Sequence, residues 1–136
     1  MSSVLVLADL LEACHDVTIV TWGAMVYTAD EAAQQLGDVS VEILDLRTLI
    51  PWDREAVLES VAKTSKVIVL HEDTRTGGFG GEIAATIAEE AFEDLDAPVK
   101  RITAPDTPVP FSPQLEKAFI PQVEDVVAGL RDLAEY

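Results

Sequence analysis

Lys66-Val-Ile-Val-Leu-His71-Glu-Asp-Thr-Arg75-Thr-Gly77-Gly-Phe-Gly80-Gly-Glu82 is the stretch that decides the fold. Val67 to Leu70 is an apolar run of the length of a buried strand, and it leads into a polar turn carrying His71, Glu72, Asp73 and Arg75. A glycine cluster then opens a helix that starts around Gly80. Strand, loop and helix in this order form the unit of an open α/β sheet. The carboxyl end of such a strand is where ligands and partners usually meet the fold.

The flanking sequence repeats the alternation. Upstream, Val17 to Trp22 reads as a strand, and Ala24 to Leu36 has helical spacing with Gly37 as its stop. Val39 to Leu46 places β-branched residues at alternate positions, as a strand does. Asp53 can cap a helix from Arg54 to Ala62. Downstream, Glu82 to Phe92 reads as a helix, Val99 to Thr103 as a strand, and Val123 to about Glu135 as a final helix. Ala104 to Pro113 carries Pro105, Pro108, Pro110 and Pro113, too many prolines for a helix or a central strand. Val4 to Glu12 reads as a frayed strand or a short helix; if a strand, the short Cys14-His15-Asp16 turn makes it antiparallel to Val17–Trp22. The expected architecture is a three-layer α/β/α domain with a mostly parallel sheet of about five strands, one of them antiparallel. One domain is expected over residues 1–136, with 1–7 frayed or outside the domain proper.

Composition sets the bounds on function. The 136 residues hold 25 acids against nine bases, a formal charge of −16. Nucleic acid and anionic membrane surfaces are excluded as partners by that charge. Basic partners are favoured, and the alternative reading is a solvated acidic surface of the kind salt adaptation produces. The single cysteine, Cys14, rules out an internal disulfide and suits a reducing cytoplasm. No apolar run is long enough for a membrane span, and the first residues lack the pattern of a signal peptide.

Each chemistry-bearing residue of the loop has both a structural and a functional reading. A dinucleotide fingerprint needs a third glycine where Ile83 stands, and no Gly-Lys-Ser/Thr follows, so the glycines read first as relief of crowding, with Gly77 or Gly78 at positive φ. The free amides of the helix start could hold a carboxylate, that of Glu82 or a partner's. His71 could serve as a general base, a metal ligand or an interface hydrogen-bonder, and the structural or interfacial role is the expected one. No second histidine stands at metal-ligand spacing, and Cys14 with His71 forms no nucleophile pattern. Glu89, Glu90, Glu93, Asp94 and Asp96 crowd the end of one helix and the turn beyond it. Acids there oppose the helix dipole, which suggests a surface that receives a basic partner. Composition and spacing alone reach a soluble acidic α/β domain without a self-contained active site.

Five segments in order carry a more specific resemblance: Val17-Thr-Ile-Val-Thr-Trp-Gly-Ala-Met25, Ile43-Leu-Asp-Leu-Arg-Thr-Leu49, His71-Glu72 with Thr76-Gly-Gly-Phe-Gly80, Ala97-Pro98-Val99 with Arg101, and Pro105-Asp-Thr-Pro108. Together they resemble the C-terminal domain of the beta subunit of the thiamine-diphosphate-dependent 2-oxo acid dehydrogenase component, pyruvate or branched-chain, which has the transketolase C-terminal-domain fold. His-Glu before the glycine loop leans towards the branched-chain subgroup. The resemblance covers about Ala8 to Tyr136.

The resemblance implies an oxidative decarboxylase whose thiamine diphosphate and magnesium are bound elsewhere, on the alpha subunit and on a pyrimidine-binding domain that precedes this one. The chain is therefore expected to be a fragment, an excised domain or a split-gene product, inactive alone. No catalytic, cofactor or metal residue is expected within it. It also implies assembly: a homodimer, the alpha subunit and preceding beta domain as neighbours, and the basic peripheral-subunit-binding domain of the dihydrolipoyl acyltransferase as partner. Asp96 falls at the acidic position before Ala-Pro used for that last contact, with Glu93 close by and Tyr136 at the chain end. His71, Glu72, Arg75, Phe79 and Pro108 are expected against neighbouring subunits, His71 close to the channel leading to the cofactor. The competing expectations are the C-terminal domain of a transketolase or deoxyxylulose-phosphate synthase, and a free-standing acidic interaction module.

Overall fold

The computed structural model describes residues 4–6 and 16–136. Strands β1 (Val4–Val6), β2 (Val17–Thr21), β3 (Val41–Leu46), β4 (Val67–Thr74) and β5 (Lys100–Ala104) form one sheet in the order β1-β3-β2-β4-β5. β2 through β5 are parallel, and β1 pairs antiparallel with β3, Val4 opposite Leu46. The expected sheet is thus found, and the antiparallel strand lies against β3. The rest of the Val4–Glu12 segment, with Cys14 and His15, falls outside the described residues.

The period of two along each strand divides the core between two faces. Val17 and Ile19 of β2 and Ile68 and Leu70 of β4 face helices α1 (Met25–Gln35) and α5 (Val123–Ala134), where they meet Ala29, Ala32, Val126 and Leu130. Val20, Val67 and Val69 point the other way, against Val57 and Val61 of α2 (Arg54–Thr64) and Ile83 and Ile87 of α3 (Phe79–Glu90). Asp53 caps α2 as expected, accepting from the Ala56 amide at 3.1 Å. At the amino ends of the strands the α2 face carries a polar layer. The Thr18 hydroxyl lies 2.7 Å from Ser60 Oγ and 2.8 Å from Thr64 Oγ1. Beside it the buried Glu42 accepts from Lys63 Nζ at 3.1 Å through Oε1, with Oε2 3.0 Å from the same nitrogen.

The sequence reading departs furthest from the structure in three places. β4 does not stop at Leu70; it continues through His71, Glu72 and Asp73 to Thr74, with a register shift against β5 between Leu70 and Thr74. Polarity suggested a turn there, but His71 keeps the inward alternation while Glu72 and Asp73 are exposed. α3 starts at Phe79 and ends at Glu90, and a 3-10 turn holds Phe92–Asp94. The proline segment ends in a short helix, α4 (Pro113–Phe119), which Ser112 caps by accepting from the Leu115 amide. Pro113 stands in the first turn, where a missing N–H costs nothing.

Candidate functional site

His71 is the fifth residue of β4, so the alternation that places Val67 and Val69 beneath α3 places its imidazole there too. Thr21 pairs with Leu70, which sets Trp22 beside His71 just past the paired residues. The two rings stack with centroids 5.4 Å apart and planes 15° from parallel. Phe79 meets Trp22 edge-on at 6.2 Å and Trp52 at 6.5 Å, closing an aromatic group over the carboxyl ends of the strands. His71 is only 1% exposed.

The glycines of the loop are explained by this ring. A side chain begun on Gly80 would lie 2.3 Å from His71 Cδ2 and Nε2, and one begun on Gly78 would lie 2.2 Å from the Thr74 carbonyl oxygen. Gly77 is the loop residue with positive φ, +78°, whereas Gly78 is extended. The space beside Gly78 and Gly80 is filled from within, so these two offer no cradle for a diphosphate. Among the described residues no three His, Cys, Asp or Glu side chains gather to hold a metal ion. Beside Gly78 and Gly80 the residues present do not fit the diphosphate of thiamine diphosphate.

Neither nitrogen of His71 has a partner at hydrogen-bond geometry. Burial pushes its pKa below the ordinary imidazole value; the Asp73 carboxylate pushes back and the Arg101 charge adds to the lowering. Burial thus favours the neutral ring, which is walled off from solvent. A folded-state value below the unfolded value of about 6.5 means that the unfolded chain takes up the proton first as pH falls. This contribution to stability is whole above about pH 6.5 and is lost as the pH falls towards the folded value. The urea midpoint should drop between about pH 7.5 and 5.5, and His71→Phe should flatten that drop. Parallel profiles would assign the dependence to other groups.

The other expected interface residues lie around this ring. Glu72, Arg75 and Pro108 are exposed, and Phe79 is half-buried. His71 differs from them in being interior: its ring supports the loop from below and is not on the chain's surface. The proline segment is tied to the loop through Asp106, which accepts from the Thr76 amide at 2.8 Å and from the Thr76 hydroxyl at 2.6 Å. Those bonds hold the Asp106 carboxyl below its usual range. Arg75 and Arg101 bond each other's main chain, Nη1 to carbonyl in both directions, at 3.2 and 3.1 Å.

Asp96 and Glu93 are exposed, in the connection between α3 and β5, and the Asp96 amide donates to the Ser65 carbonyl at 2.9 Å. Tyr136 is 69% exposed and lines an open cavity of about 590 Å³ with Pro98, Lys100, Arg101 and Arg75. Pro98 lies two positions after Asp96, so the chain end and the Asp96 turn flank one surface. The same cavity gathers Arg75 with Tyr136, residues that the sequence reading assigned to different contacts. The sequence reading missed Trp22, Lys100 and Arg101 as contributors here. Parity along β4 and the length of β2 were the signals that could have placed Trp22 against His71.

Comparison with known proteins gives a consistent result. Residues 8–126 match the family described as transketolase, C-terminal domain. The beta subunit of 2-oxoisovalerate dehydrogenase from Bacillus subtilis (strain 168) is 42% identical over 132 residues, 95% of this chain and 40% of that one. The beta subunit of acetoin:2,6-dichlorophenolindophenol oxidoreductase from the same organism is 43% identical over 128 residues, 93% of this chain and 37% of that one. Among solved structures, a split-gene transketolase captured as an inactive beta4 tetramer superposes with a TM-score of 0.78 at 30% identity, covering 97% of this chain and 41% of that one. The chain thus spans about two fifths of the length of these curated relatives.

Proposed function

Since this chain belongs to the transketolase C-terminal-domain family, we propose that it is the assembly domain of a 2-oxo acid dehydrogenase beta subunit and is not catalytic alone. In the intact enzyme the reaction is oxidative decarboxylation of a 2-oxo acid with thiamine diphosphate, followed by acyl transfer to a lipoyl group. The cofactor supplies that chemistry, and the protein's part is to position it. The domain pairs with a second copy, packs against the alpha subunit and the preceding beta domain, and works in the cytoplasm. The observation that carries this reading is the filled glycine loop: the one stretch that looked like a ligand cradle is packed with the chain's own His71 ring. The curated relatives named above, near 42% identity, favour the dehydrogenase reading over the transketolase one. They name 2-oxoisovalerate in one case and acetoin in the other, so the substrate class stays at that breadth.

The partner surface is the exposed ground around the acidic Asp96 and Glu93, with Tyr136 at its edge beside the arginine-lined cavity, and it faces the basic peripheral-subunit-binding domain of the acyltransferase. Charge complementarity sets the speed of such an encounter and its salt dependence. Calorimetric titration with that domain at low salt should release heat, and affinity should fall as salt rises. Asp96→Lys should weaken binding by about tenfold, or about 1.4 kcal/mol. Absence of heat with both partners folded would sink the assembly reading, and an unchanged affinity for Asp96→Lys would remove Asp96 from the contact.

A further inference from the structure

Arg75 and Arg101 are two cross-bonded cationic residues in a chain of net charge −16. Among the described residues neither guanidinium has a carboxylate in ion-pair range, whereas Arg47, Arg54, Lys63 and Lys100 each have one. The reciprocal bonds from Nη1 to the other's carbonyl fix both groups in place and engage only one nitrogen of each. A guanidinium has five N–H donors in a rigid fork, so most of this donor set is left for a ligand. Each guanidinium lies against the other residue's main chain, and hydrogen bonds to neutral carbonyls leave both positive charges uncancelled. An anion within reach of both forks would answer them.

Space for one is present. Both arginines line the open cavity of about 590 Å³, together with Lys100, Pro98 and Tyr136. Lys100 is already answered by Asp132 at 2.8 Å, and Asp106, which feels the Arg75 charge, spends both oxygens on Thr76; Glu135 also lines the cavity, outside ion-pair range of both arginines. Gly81 makes room: a side chain begun there would lie 3.3 Å from Arg101 Nη1. Gly81 belongs to the first turn of α3, whose start has no side-chain cap and whose first turn also carries the acidic Glu82.

We propose that the Arg75–Arg101 pair binds the phosphate group of a small phosphate monoester, with the rest of the ligand in the cavity towards Pro98 and Tyr136. A phosphate monoester carries about −1.5 to −2 charge near neutral pH, which matches two arginines without ion-pair partners, and its three oxygens suit two forks. A single carboxylate would neutralise only one of them. The acidic surface of the chain opposes the approach of any anion, so inorganic phosphate alone is bound in the millimolar range.

The test is a titration of the arginine-labelled chain with inorganic phosphate at fixed ionic strength, chloride replaced ion for ion. The Nε–H signals of Arg75 and Arg101 and the Gly81 amide should move together and saturate. Arg101→Gln should weaken binding at least tenfold, and Lys66→Gln, at the opposite end of β4, should leave it unchanged. Should Arg101→Gln not fold, Arg101→Lys keeps the charge but loses the fork, and it should weaken binding several-fold. A response that does not saturate, one that chloride reproduces, or an affinity unchanged in the folded Arg101 variant would overturn the site. Acetate bound as tightly as phosphate would overturn the assignment to a phosphate ligand.

Discussion

Gly80→Ala should lower the stability of the chain by about 2–3 kcal/mol, seen as a fall in Tm of roughly 10 °C. The new methyl would stand 2.3 Å from two atoms of the His71 ring and 3.1 Å from Val69 Cγ1. No relief is available by moving the ring, because Trp22 stacks on its other side and β4 fixes its backbone. Alanine gains up to about 1 kcal/mol of helix propensity over glycine, which offsets only part of the overpacking. The assignment to the ring is checked by a cycle with His71→Ala. Once the imidazole is gone, Gly80→Ala should cost little or become stabilising. An equal loss in both backgrounds would place the cause in the helix backbone.

Lys63→Met should cost about 2 kcal/mol by thermal or urea unfolding. Methionine keeps the apolar stem of the side chain and removes the charge that answers Glu42, whose side chain is 5% exposed. Losing one partner of a fully buried pair costs about 3–5 kcal/mol, and here Lys63 is more than half exposed, so the loss falls below that range. Removing the second charge as well should recover most of it. Glu42→Met with Lys63→Met puts apolar groups against α2 and leaves no uncompensated carboxylate beneath it. If the double variant were less stable than Lys63→Met, the neighbouring Thr18, Ser60 and Thr64 hydroxyls would need Glu42 for a reason that pairing with Lys63 does not supply.

The architecture was legible because β2, β3 and β4 are runs of β-branched and aliphatic residues separated by helices with caps and stops in the expected places. Asp53 and Val57 announced α2, and the spacing of Val126, Leu130 and Leu133 announced α5. The carboxyl end of β4 misled because polarity and burial part company there. Glu72 and Asp73 are exposed while His71 is interior, and composition averages over the three. α4 was hidden by prolines, since Pro113 begins a helix whereas Pro105, Pro108 and Pro110 exclude one. The site was harder. Its arginines are 26 residues apart, and side chains reaching along the parallel β4–β5 pair bond each to the other's main chain. Glycine spacing could be tested against a phosphate loop and rejected, but its true cause, a buried ring from the preceding strand, needs the third dimension.

The two bonds between Thr76 and Asp106 have a consequence for how the molecule opens. Residues 105–109 are all exposed, so burial gives them little reason to stay in place. A segment of that kind ordinarily belongs to the first part of a protein to come undone, exchanging its amides independently of the core. Here one carboxylate latches it to the loop that roofs the His71 compartment, and its prolines leave it less disorder to gain on release. Unlatching the segment and loosening the roof then become one event. A neighbour that docks on the prolines therefore tightens the packing of a histidine more than 30 residues earlier in the chain, without touching it.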